Sequence, residues 1–227
     1  ILDPELTVSQ PVQVTACTGI DALAHALEAA VTRDRNESSA RHARLAFLLV
    51  QENLEKAFVD PGDVVARGFV QLGASHAGAA IENSMLGAAH SMANPLTARR
   101  EVVHGNAVGM SLPSVMRFNT ELLEVRAIYA GLARDAGLVG AEVDDSIAAE
   151  TVIGRVETLL EAAGFPLTLE EHDFSSGEVS GLAAEAAEQW TANFNPRPVT
   201  EQDFEKLYGS LFAGSACEEV GNEASLS

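Results

Sequence analysis

Small apolar residues recur along this chain at intervals of three and four, with polar residues filling the intervening positions. That is the period of a buried helix face, and no stretch alternates at the period of two that a half-buried strand needs. After a proline-punctuated opening (Pro4, Pro11) read as an extended entry with turns, Thr15 or Thr18 can cap a first helix running to about Val31. Its interior, ALAHALEAA over 22–30, is small and apolar almost all round, as in a buried helix. A polar break at Arg33 to Glu37 precedes a second helix over about 38–58, and Asp60-Pro61-Gly62 marks a turn. A glycine- and alanine-rich third helix is expected over about 63–89, ending in a break forced by Asn94-Pro95 and the polar run Arg99, Arg100, Glu101. Further helices are expected from His104 to between Pro113 and Asn119, at about 120–137, at 145–163 before Gly164 and Pro166, at 178–192 and at 201–212. The pattern predicts an all-α fold in one compact domain over 1–214, with 215–227 a disordered tail of small and polar residues. Neither a repeat nor a GxGxxG or P-loop glycine pattern occurs.

Composition supports that picture and narrows the partners. Ala and Leu dominate over β-branched and aromatic residues, which favours helix. Acidic residues outnumber basic ones 33 to 14, a net charge of −19 that disfavours nucleic acid and anionic membranes and otherwise serves solubility or, alternatively, reflects a salt-adapted source. The two cysteines, Cys17 and Cys217, form no CxxC spacing, so neither a disulfide framework nor a cysteine-zinc site is expected and a reducing cytoplasm fits best. No run is long and apolar enough to span a bilayer, and no signal peptide opens the chain. Because the first residue is Ile1, the chain reads as a piece of a longer polypeptide.

The histidines carry the candidate chemistry. Asp21 and His25, four apart on a helix, lie on one face and can reach a single divalent cation. A buried hydrogen-bonded pair would have the same spacing, although an ionised carboxylate among alanines and leucines needs a partner. His90, read as the end of the third helix, and His104, at the start of the next, can converge on the same point from either side of one loop. One carboxylate with three imidazoles suits Fe²⁺ or Zn²⁺ rather than Mg²⁺ or Ca²⁺. His42, between Arg41 and Arg44, reads as solvated; His172, between Glu171 and Asp173, as exposed; His76 as a group lining the cleft.

Five segments together resemble the iron-containing (group III) alcohol dehydrogenases: TGIDALAHALEA (18–29), GAAHSMANPL (87–96), VHGNAVG (103–109), LPSVMRFN (112–119) and NPRPVTEQD (195–203). The resemblance runs from Asp3 to Phe212. It implies that Asp21, His25, His90 and His104 bind the catalytic metal, and that this chain corresponds to the C-terminal helical domain of a two-domain enzyme. The N-terminal dinucleotide-binding domain would lie outside the chain, with the active site in the cleft between the two. It further implies NAD or NADP as hydride carrier, a small alcohol or aldehyde as substrate, a homodimer, and no activity for this piece alone. Two departures from the family pattern stand out. Asn94 occupies a position where many members carry a histidine that faces the nicotinamide or relays a proton, and Thr97 and Ala98 replace a glycine pair. Asn94 and His76 are therefore the candidate catalytic-cleft residues beyond the metal ligands. The alternatives are a sister enzyme (glycerol dehydrogenase, maleylacetate reductase or dehydroquinate synthase type), a metal-dependent hydrolase with Glu82 as its possible base, and a non-enzymatic acidic helical scaffold.

Overall fold

The computed structural model describes residues 1–213, and the tail expected at 215–227, with Cys217, lies outside them. Among the described residues there is no strand. A 3₁₀ turn over Pro4–Thr7 leads into α1 (Val12–Ala29), α2 (Glu37–Val59), α3 (Val64–Ser84), α4 (Ala88–Arg100), α5 (His104–Asn119), α6 (Leu123–Asp135), α7 (Asp145–Ala163), α8 (Val179–Ala187) and α9 (Glu201–Gly209). Further 3₁₀ turns occupy Glu170–His172, Ser176–Glu178 and Trp190–Phe194. No helix among these is long and apolar enough to cross a membrane.

α1 is the central element and packs against α2, α3, α5 and α7. Ile20, Leu23 and Leu27 on it are wholly buried, together with Phe47 and Leu54 of α2, Met92 and Leu96 of α4, and Leu112 and Met116 of α5. α4 pairs with α5, α6 with α7 and α8 with α9, and it is α5 and α7 that bring these later helices onto α1. Local signals set several of the ends. Asn36 and Ser39 form a reciprocal capping box at the start of α2, Thr200 and Asp203 do the same for α9, and Gly164 closes α7 in the left-handed region (φ 68°).

Among the boundaries that differ from the sequence reading, two do so for a tertiary reason. The N-cap of α1 is Pro11 rather than Thr15 or Thr18. The Thr18 hydroxyl donates to the Val14 carbonyl (2.8 Å), and the Thr15 hydroxyl accepts from Arg67 Nη1 (3.1 Å). Arg67, itself buried, also donates to the Thr7 and Pro61 carbonyls and so pins the entry segment to α3. The second difference matters more for the site. α3 ends at Ser84, the chain reverses through Met85 (φ 103°), and α4 starts at Ala88 and runs through Pro95. His90 therefore lies in the first turn of α4, not at the end of α3. Pro95 forfeits one helical hydrogen bond, but the helix start is held from outside. The Ala88 N–H donates to Asn195 Oδ1 (3.3 Å) and the Ala89 N–H to Glu28 Oε1 (2.8 Å). Farther along, the buried Tyr208 hydroxyl donates to the Met92 carbonyl (2.7 Å). Downstream, α8 stops at Ala187 and α9 at Gly209, each shorter than its periodicity suggested.

Candidate metal centre

Three helices supply the predicted donors. α1 carries Asp21 and His25 one turn apart, α4 carries His90 in its first turn, and α5 opens with His104. The α1–α5 approach is set by Gly105, where an added Cβ would lie 2.1 Å from the Cys17 carbonyl oxygen, so only glycine lets the two backbones meet there. That contact seats His104 beside the carboxylate one turn farther along α1.

The Nε2 atoms of His90 and His104 lie 3.4 Å and 3.6 Å from Asp21 Oδ1, and His25 Nε2 lies 3.5 Å from Asp21 Oδ2. Donor atoms of Asp21, His90 and His104 all fall within 4.8 Å of one another. His25 reaches the other carboxylate oxygen and stacks its ring on His90, with centroids 4.9 Å apart, but is outside that mutual grouping. The structure thus gathers three of the four predicted donors at one point and sets the fourth at its edge. The site is buried on one side and open on the other: the His90 side chain is 4% exposed and that of His104 is 42%.

This donor set fits a divalent cation. Asp21 Oδ1 and His90 Nε2 are buried and have no hydrogen-bond partner among the described residues, although they face each other. Two ligands of one ion with bonds of about 2.1 Å stand roughly 3.0–3.5 Å apart, close to the spacings found here. Mixed imidazole and carboxylate donors are those of Fe²⁺ and Zn²⁺.

The electrostatics agree with the geometry. Burial alone would raise the Asp21 carboxyl, but the three surrounding imidazoles outweigh it and hold Asp21 below the ordinary carboxylate range. His25 and His104 are pushed down, burial being the largest cause and Asp21 only partly opposing it, so both offer lone pairs at neutral pH. His90 goes the other way, to about 9, because Glu28 and Asp21 overcome its burial. Without a cation, a proton held between two carboxylates takes the place of metal charge.

The remaining candidates are placed as follows. Asn94 sits half-buried on α4, one turn after His90, and donates to Gln189 Oε1 (2.9 Å). His76 does not join the donors. It pairs with His42 across α2 and α3, Nδ1 to Nδ1 at 2.9 Å, in a surface depression lined by Glu37, Ser38, Arg41 and Leu45. His42 is accordingly half-buried and paired rather than solvated. His172, expected to be exposed, is half-buried and meets Asn106 Nδ2 at 3.3 Å.

Two residues at the site escaped the sequence reading. Glu28, 3% exposed, places Oε2 2.5 Å from His90 Nδ1. The available signal was an acid seven residues after Asp21, hence on the same helix face, inside an otherwise apolar run. Asn195 is buried and ties the start of α4 to Asn119. Nothing in its local sequence announces that.

The chain is similar to known proteins over most of its length. A family model described as "Fe-containing alcohol dehydrogenase family, C-terminal" matches residues 15–212. The chain is 36% identical over 217 residues to the 1-propanol dehydrogenase PduQ of Salmonella typhimurium, covering 93% of this chain and 58% of that protein. It is 32% identical to long-chain-alcohol dehydrogenase 1 of Geobacillus thermodenitrificans, covering 96% and 55%. The chain thus spans little more than half the length of these curated relatives. Among solved structures, a 1,3-propanediol oxidoreductase superposes with a TM-score of 0.88 at 30% identity, covering 92% of this chain and 55% of that one.

Proposed function

The chain belongs to the iron-containing alcohol dehydrogenase family, and from that premise we propose that it is the metal-binding helical half of an NAD(P)-dependent dehydrogenase interconverting small alcohols with aldehydes or ketones. The observation that carries this reading is the convergence of Asp21, His90 and His104 from three helices on one point, with two of the converging atoms buried and unpartnered. Asp21, His90 and His104 would hold Fe²⁺ or Zn²⁺, and His25, already against the second Asp21 oxygen, would complete the set. Such a cation, when bound, supplies Lewis acidity to the substrate oxygen.

The chain's own residues do the positioning. The Asp21 carboxylate stays ionised across the neutral range and offsets half of a divalent charge, and His90 is walled off from water on α4. The half-exposed His104 leaves the approach for a substrate on its side. Asn94 donates to Gln189 and, being an amide, neither takes up nor releases a proton near neutral pH. Proton exchange with the alcohol therefore runs through water or a cofactor hydroxyl rather than through position 94, and His76, paired with His42, has no part in it. In this reading the nicotinamide dinucleotide is held by a domain outside these residues. Alcohol length is left open, since the relatives' names range from 1-propanol to long-chain alcohols. A homodimer in the cytoplasm completes the proposal.

The test starts from protein purified without chelator. Metal content after dialysis should approach one divalent ion per chain, fall sharply in His90→Ala and His104→Ala, and stay unchanged in His42→Ala. Equal content in all three variants would remove the site from the argument. The activity half is tested on full-length protein with a panel of primary alcohols and diols and either nicotinamide cofactor; turnover lost in the same two variants is the expected result.

A further inference from the structure

The face of α1 that carries Asp21 and His25 ends in a third polar group, Glu28, whose side chain is almost wholly buried. Both of its oxygens are engaged. Oε1 accepts from the Ala89 N–H in the first turn of α4 (2.8 Å), and Oε2 lies 2.5 Å from His90 Nδ1. A carboxylate that accepts through both oxygens leaves the hydrogen of that second contact on Nδ1. When a cation displaces the second proton of His90, the imidazole that keeps its hydrogen on Nδ1 presents its lone pair at Nε2, the atom that stands 3.4 Å from Asp21 Oδ1. The room for this carboxylate comes from Gly87, where any Cβ would stand 3.0 Å from Glu28 Oε1 and equally close to Asn195 Oδ1.

We propose that Glu28 is a positioning residue for the metal centre: it fixes the hydrogen of His90 on Nδ1 and so commits Nε2 to the cation. The inference rests on the metal-centre reading above and deepens it. A group on α1 thereby aligns a ligand on α4, and the two carboxylates of α1 together balance the charge of a divalent ion. Histidine ligands are commonly oriented in this way by a carboxylate behind them, and removing such a partner typically costs about 10- to 100-fold in metal affinity. The competing account is that Glu28 only caps α4, and the two accounts separate on one substitution. In Glu28→Gln the single amide oxygen can serve Ala89 or His90 but not both. If it keeps the cap, its NH₂ faces Nδ1, which must then accept, and the hydrogen moves to Nε2 where a metal bond was to form.

The experiment measures Zn²⁺ affinity of the full chain by chelator competition, alongside its urea-unfolding midpoint in excess chelator, for the parent, Glu28→Gln, Glu28→Asp and Asn195→Ala. Asn195→Ala removes the neighbouring cap on Ala88 without touching His90, and so reports what a purely structural loss does to affinity. Glu28→Gln should lose about 10- to 100-fold in affinity, well beyond Asn195→Ala at comparable loss of stability. Glu28→Asp, still a carboxylate, should bind more tightly than Glu28→Gln. In a His90→Ala background Glu28→Gln should have little further effect, because the ligand it acts through is gone. A folded Glu28→Gln that binds Zn²⁺ as the parent does overturns the inference and leaves the metal centre standing. If Glu28→Gln does not fold, Glu28→Asp decides: affinity no better than that of the His90→Ala chain overturns it. A parent chain that binds no Zn²⁺ sinks the metal reading itself, and this inference with it.

Discussion

Substituting Gly105 by alanine strikes the fold and the site at one point. The new Cβ would sit 2.1 Å from the Cys17 carbonyl oxygen, 2.7 Å from its carbonyl carbon and 2.9 Å from its Cα, whereas ordinary contact begins at 3.4 Å. Every obstructing atom is backbone in the middle of α1, so no side chain can rotate away. The two helices must part by about 1.3 Å at the crossing to restore contact distance. Overpacking a well-filled interior typically costs about 1–3 kcal/mol, and main chain meeting main chain puts this case near the upper end, about 3 kcal/mol. The displacement is transmitted directly to His104, the preceding residue, whose Nε2 stands 3.6 Å from Asp21 Oδ1. Urea unfolding followed by circular dichroism in excess chelator isolates the stability change, and Zn²⁺ competition on the same protein reports the ligand shift. Gly131→Ala in α6 is the control, since a Cβ there meets nothing within 4 Å. It should stabilise the chain by about 0.5–1 kcal/mol. A Gly105→Ala protein as stable as Gly131→Ala, with undiminished Zn²⁺ affinity, would refute the close-approach argument.

Other substitutions probe other parts of the reasoning. Tyr208→Phe removes the hydroxyl bond to the buried Met92 carbonyl and should cost about 1 kcal/mol, seen as a lower urea midpoint; no change would mean that α9 does not support α4 by this bond. The His76 imidazole is held below its ordinary range, by burial first and by His42 second. The unfolded chain therefore binds the extra proton at higher pH than the folded one, and stability should fall as pH drops below about 6.5. His76→Asn should show a shallower fall between pH 7.5 and 5.5 in unfolding midpoints, and identical slopes would contradict the sign. In the cation-free chain His90 is protonated up to a pH of about 9, so Zn²⁺ binding at pH 7.5 should release about one proton from it. Calorimetry in buffers of different ionisation enthalpy measures that release; a binding enthalpy independent of buffer would count against it.

Much of this arrangement was legible along the chain because it depends on local periodicity. The apolar run around His25 marked α1 as buried, the Asp21–His25 spacing placed both on one face, and Gly164 marked the end of α7. What escaped depends on contacts across long separations. Pro95 looked like a helix stop, yet α4 runs through it because Glu28 and Asn195, 61 and 107 residues from their partners, hold its first turn. The pairing of His42 with His76 likewise follows from how α2 lies on α3. Local rules place donors on faces and cannot say which faces meet.

The same distinction explains why an unsatisfied buried group is by itself a poor pointer to function. Arg67 Nη2, Gln71 Oε1 and Asn106 Oδ1 are also buried without hydrogen-bond partners. Arg67 spends its other nitrogens on the Pro61 and Thr7 carbonyls and the Thr15 hydroxyl, so its cost is tied to holding the entry segment. Asp21 Oδ1 and His90 Nε2 differ in that a third donor, His104, stands 3.6 Å from the same Asp21 oxygen. Each buried polar atom without a hydrogen bond costs about 1–3 kcal/mol, offset here only in part by the proton that His90 holds between Glu28 and Asp21, and a natural domain has only about 5–15 kcal/mol in hand. A cation satisfying both atoms would relieve that cost, and at 100 times its dissociation constant would add about 2.7 kcal/mol to the folded state. The converging donors therefore burden the fold of the cation-free chain and support it once a cation binds. Unfolding that shifts with Zn²⁺ in the parent, but not when Asp21 is replaced by alanine, is the signature such a centre must leave.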